Sequence, residues 1–141
     1  MTDHGRSLRT VLTSVGLVGL VTLGPTSCGN GSASACEKAL TTAATSVNGV
    51  VRAEFTCKRS FGNPSQKGSV TTSGTTQQAV TAVMEDVLRA FARSAELDDA
   101  SVVYVDFANE PGTISVVEAS VGFNGTPSIG DLRDHYDIRP N

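Results

Sequence analysis

The steadiest apolar rhythm in the chain falls on Val80, Val83, Met84, Val87, Leu88 and Phe91. These positions recur every three or four residues and form one face of a helix. Glu85, Arg89 and Arg93 supply the polar face opposite. Thr75, with Gln78 three residues on, resembles a capping box at its start. A shorter stripe of Cys36, Leu40, Ala43, Ala44 and Val47 predicts an earlier helix over 36–47. Ser34 is its expected N-cap, and Asn48-Gly49 ends it, because both residues tolerate the left-handed conformation of a helix terminus. The period then changes to two. Val51, Ala53, Phe55 and Cys57 alternate with Arg52, Glu54, Thr56 and Lys58, which reads as a strand with one buried and one wet face.

Gly62, Asn63 and Pro64 place a hairpin loop over 59–67, and Val70 with its threonines signals a second strand at 68–73. After the long helix, Asp98-Asp99 marks a loop whose acidic tip is read as solvated. Val103, Val105 and Phe107 alternate with Val102, Tyr104 and Asp106, giving a third strand. The turn Asn109-Glu110-Pro111-Gly112, read as type II, leads to a fourth strand over 113–120. A short helix over 128–136 would point Ile129, Leu132 and Tyr136 inward and Asp131, Asp134, His135 and Asp137 outward.

The resulting order is helix, strand, strand, helix, strand, strand and a short terminal helix. It predicts an α+β fold: a four-stranded antiparallel sheet with two helices on one face, similar to a permuted ferredoxin-like fold. The open sheet face would carry Arg52, Glu54, Thr56, Tyr104 and Asp106, the expected binding surface; the Lys58-Arg59 and Lys67 hairpin end is a second expected contact.

The first quarter of the chain follows another logic. Arg6 and Arg9 precede an uncharged, largely apolar run over 10–24, and small residues lead to Cys28. The run has the length of a signal-peptide core and falls short of the ~20 residues of a membrane span. Residues 1–27 are therefore read as a signal peptide, 28–35 as a flexible Gly/Ser/Ala tether and 36–141 as one domain. Leu23 to Cys28 resembles the lipobox of bacterial lipoproteins, with Ser27 and Thr26 in its small-residue slots and Pro25 where an aliphatic residue is usual. That resemblance implies lipidation at Cys28 and a membrane partner through the lipid. Ala33-Ser34-Ala35 offers the alternative, a cleavage site for a freely secreted protein. On either path Cys36 and Cys57 remain as the pair expected to form a disulfide in an oxidising compartment.

The signal, the lipobox-like cysteine and the small-residue linker resemble those of small envelope lipoproteins and secreted proteins of high-GC Gram-positive bacteria. Asn48-Gly49-Val50-Val51 and Leu132-Arg133-Asp134-His135-Tyr136 are similar to segments of actinobacterial envelope proteins. The resemblance implies an extracytoplasmic location at the cell membrane.

Charge and chemistry narrow the function further. The formal net charge is −3, with no basic stripe or aromatic platform, so no nucleic-acid partner is expected. No cofactor or metal site is expected either, because His135 is the one histidine outside the signal and Cys36 and Cys57 are already paired. No Gly-x-Ser-x-Gly elbow is present. A small hydrolase would have to use His135, oriented by Asp131 or Asp134, with Ser128 attacking. Asp131 and His135, one turn apart, are also a possible cation pair. The expectation is a non-enzymatic envelope binding module for a protein, glycan or lipid, with the hydrolase as the alternative.

Overall fold

The computed structural model describes residues 31–60 and 63–140. Helix α1 (Gly31–Thr45) is followed by strands β1 (Val50–Ser60) and β2 (Asn63–Thr72), helix α2 (Gln77–Arg93), strands β3 (Val102–Asn109) and β4 (Ser115–Val116), a 3-10 turn over Glu118–Val121, and helix α3 (Ile129–Tyr136). The class is α+β. The sheet order is β1-β2-β3-β4. β1–β2 and β3–β4 are antiparallel hairpins, whereas β2 and β3 are direct neighbours running parallel. The sheet is therefore mixed, which corrects the antiparallel, ferredoxin-like expectation. The cause is α2. Its 17 residues extend about 25 Å, enough to carry the chain back to the starting end of β2, so β3 enters in the same direction.

The core lies between the helices and one sheet face. Leu40 and Ala44 of α1, Val80, Met84, Val87 and Phe91 of α2, and Ile129 and Leu132 of α3 are buried against Val70, Val105 and Phe107. The hydrophobic stripe of α2 is thus the central layer, as its spacing predicts. Its N-cap is Thr76, whose hydroxyl accepts from the Ala79 backbone N–H, one residue after the expected cap. Phe55 meets Phe91 edge-to-face at a centroid distance of 5.8 Å. Phe55 also lies over Gly68, its cross-strand partner: a Cβ on Gly68 would fall into the Phe55 ring and come within 2.6 Å of the Glu54 carbonyl oxygen.

Two contacts fix α1 on β1. The Cys36–Cys57 disulfide joins them, with the Cα atoms 6.2 Å apart. One residue along, Glu37 Oε1 accepts the Cys57 backbone N–H at 3.0 Å, on the edge of the sheet. The helix starts upstream of Cys36, so residues 31–35 of the expected tether are helical and Ser34 lies within α1 rather than capping it. Ala33 and Ala35 are strong helix formers, and no breaker separates them from the apolar stripe. Residues 1–30, which include Cys28 and the expected signal segment, lie outside the described residues.

Three strand boundaries also differ from expectation. β1 and β2 run through most of the expected 59–67 loop, with Lys58 opposite Ser65 and Thr56 opposite Lys67. Pro64 is tolerated because β3 pairs with β2 only from Ser65 onward, so its missing N–H disturbs no second ladder. β4 is much shorter than the expected 113–120. Asn109 Oδ1 accepts the N–H groups of Thr113 and Ile114 at 2.9 and 3.0 Å, holding them in the turn instead of the ladder. That turn closes from Gly112 N–H to Asn109 O, over the four residues expected for it, with Gly112 in the left-handed region at φ 70°.

Candidate functional site

The helices leave the other sheet face open, and the five residues expected there are all on it. Arg52, Glu54 and Thr56 of β1 and Tyr104 and Asp106 of β3 are exposed. Their arrangement follows from strand alternation and register. Glu54, Ser69 and Asp106 form one cross-strand row; Thr56, Lys67 and Tyr104 form the next; Arg52, Thr71 and Ala108 form a third. β2 thus contributes the middle of the face, Lys67, Ser69 and Thr71. Of these only Lys67 was expected at a contact, and there as part of the hairpin end. Tyr104 is 50% exposed and stands beside Lys67. Val117, 59% exposed, follows buried Val116 at the β4 side.

Glu54 and Asp106 flank Ser69 across about 10 Å, two interstrand spacings. Arg52 and Lys67 occupy the rows on either side, so the two carboxylates sit between two cations and the face carries little net charge. Near Asp106, Glu118 is almost wholly buried. Burial pushes the Glu118 carboxyl above its usual range; its own backbone N–H partly offsets this, and the charge of Asp106 adds to the rise. Glu118 was not singled out from the sequence, although its place two residues after buried Val116 is a signal that alternation could have supplied.

The residues of the hydrolase alternative are close together but occupied by other contacts. Ser128 caps α3. Its hydroxyl donates to Asp131 Oδ2 at 2.8 Å and accepts from the Asp131 backbone N–H at 3.1 Å, while Asp131 Oδ2 also accepts the Ser128 backbone N–H. The two hydrogen bonds from Ser128 hold the Asp131 carboxyl below its usual range. The His135 ring packs on Phe123 and Tyr136, with centroids 4.4 and 4.7 Å apart. Among the described residues no hydrogen bond links His135 to Ser128, Asp131 or Asp134. Asp134 and Asp137 are exposed, as expected. Asp98 accepts the Ala100 backbone N–H, and Asp99 pairs with Arg133. Among the described residues no set of three His, Cys, Asp or Glu side chains converges on a metal position.

Arg133 carries a polar cluster that joins two helices. Its guanidinium donates to the backbone oxygens of Ala92, Ser94 and Leu97 at 3.0, 2.7 and 3.0 Å, and to Asp99. It ties α3 to the end of α2 and shapes the loop leading into β3. Nearby, Arg89 pairs with Glu85 at 2.8 Å and lies 4.1 Å above the Tyr136 ring.

Among the described residues no helix is long and apolar enough to cross a membrane. No protein-family model, curated protein or solved structure matches the chain.

Proposed function

We propose that this chain is a lipid-anchored, non-enzymatic binding module of a bacterial cell envelope and that its open sheet face is the contact surface. One observation carries the reading: Arg52, Glu54, Thr56, Tyr104 and Asp106 converge with Lys67 and Ser69 on a single face that no described element covers. The chemistry of that face favours a neutral, hydroxyl-rich partner. Glu54 and Asp106 accept hydroxyl hydrogens, Lys67 and Ser69 donate, and Tyr104 presents an aromatic ring with an apolar face and a polar tip. A glycan chain of the envelope fits this set better than an apolar or strongly charged ligand. The lipid at Cys28 would keep the face close to that polymer.

The test is co-sedimentation of the purified protein with insoluble envelope glycan from its host. Binding that Tyr104→Ala and Asp106→Asn each weaken about tenfold supports the assignment, since losing one good polar or stacking contact is worth about 1.4 kcal/mol. Unchanged binding in both variants refutes the face. Intact mass of the membrane fraction tests the anchor: a chain starting at Cys28 with a diacylglycerol adduct is expected, and an unmodified chain starting at Cys36 in the medium would replace it with free secretion.

A further inference from the structure

On the helix-covered side of the sheet, at the end away from β4, a groove of about 1000 Å³ opens between the N-terminal half of α1 and the loop from α2 to β3. Its size is that of a small-molecule or peptide site. Gln66 lines it from β2. The residue is 5% exposed, and its Nε2 donates to Ser101 Oγ at 3.1 Å. Among the described residues its Oε1 has no hydrogen-bond partner. A buried amide oxygen left in this state is costly, and such groups call for an explanation. A donor brought in by a ligand supplies one.

The walls on either side of Gln66 carry opposite charge. Lys38 lies on the α1 wall, and Glu96 and Asp98 lie on the loop wall. Leu97, Ala100 and the Cys36–Cys57 disulfide give the groove apolar surface between them. We infer that this groove binds a short peptide with free termini. A peptide N–H would donate to Gln66 Oε1, drawing the side-chain amide out toward the groove, the terminal carboxylate would face Lys38, the terminal ammonium would face Glu96 and Asp98, and small aliphatic side chains would rest on the apolar surface. A fatty acid would satisfy the apolar lining and Lys38 but would leave both the acidic wall and the Gln66 oxygen unmatched. The site lies on the opposite side of the sheet from Tyr104, so it stands or falls independently of the glycan-binding face.

The experiment is a titration of the full-length chain with trialanine, followed by amide NMR, with acetyl-trialanine-amide and octanoate as comparison probes. Expected are saturable shifts of the Gln66 side-chain amide and of the backbone amides of Lys38 and Asp98 to Ser101, with a dissociation constant of about 1 mM or tighter. The blocked tripeptide should bind at least about tenfold more weakly, since it has no charged termini. Gln66→Leu should weaken trialanine by a similar factor. Ala100→Trp, at an exposed position, should block the groove without depending on a change to the core, and Tyr104→Ala should have no effect. No saturable shifts, equal binding of blocked and free peptide, or preferential binding of octanoate would each overturn the inference.

Discussion

Replacing Arg133 by methionine removes the guanidinium and keeps a side chain of similar reach. Arg133 donates to three backbone carbonyls, those of Ala92, Ser94 and Leu97, at the point where α2 ends and the next loop begins. Its side chain is 11% exposed, so water would not readily take over as donor. A net contribution of about 1 kcal/mol per bond, below the usual value for a charged donor because the three share one group, gives a loss of about 3 kcal/mol. For a domain of this size that is a fall in Tm of roughly 10–15 °C. Arg133→Lys should lose about half as much, because an ammonium is a point donor and cannot span the three acceptors as the planar fork does. Asp99→Asn should stay within about 1 kcal/mol, since Asp99 is 72% exposed and its ion pair is screened. Urea denaturation of the three variants measures these differences. An Arg133→Met protein within about 0.5 kcal/mol of the parent would show that the carbonyls find other donors, and the clamp would lose its assigned weight.

Reduction of the Cys36–Cys57 disulfide, or its replacement by two serines, should lower stability by about 3 kcal/mol, from the entropy of closing a loop with a sequence separation of 21; unfolding with and without reductant compares the two states. Gly68→Ala should cost about 1–3 kcal/mol, because the added methyl meets the Phe55 ring and the Glu54 carbonyl, and an unchanged Tm would place Phe55 elsewhere. Glu118→Gln should stabilise the protein near neutral pH and have little effect in acid. The Glu118 carboxyl is raised by burial, so the folded state holds its proton more tightly and the parent loses stability as pH rises from the usual glutamate range through the raised value. Urea midpoints of parent and variant at about pH 4 and about pH 7.5 test the sign: the difference between them should grow with pH.

The elements that the sequence reveals best are those whose burial is their own. α2 shows its full stripe, and β1 and β3 alternate cleanly because one face of each packs on the helices, so the outer strands' share of the open face, Arg52, Glu54, Thr56, Tyr104 and Asp106, follows from counting by two. β2 hides because part of its burial belongs to its neighbour. At Gly68 the inward space is filled by Phe55 from across the ladder, and at the next inward position stands the polar Gln66. The first half of β2, before Gly68, therefore reads as loop, and with it go the place of Lys67 on the open face and the floor of the groove at Gln66. Counting back by twos from buried Val70 reaches Gly68 and then Gln66, so extending the expected strand at 68–73 backward recovers the register. The direction of β3 leaves no such trace, since alternation is the same in parallel and antiparallel pairs. Arg133 leaves none either: its partners are mainly backbone oxygens, which every residue possesses, and only the close approach of α3 to the end of α2 makes them acceptors. The two candidate surfaces differ in the same way. The open face is a pattern along strands and can be read locally, whereas the groove lies between α1, which the disulfide joins to β1, and the loop whose carbonyls Arg133 holds. Loosening either wall should therefore degrade the groove before it touches the face.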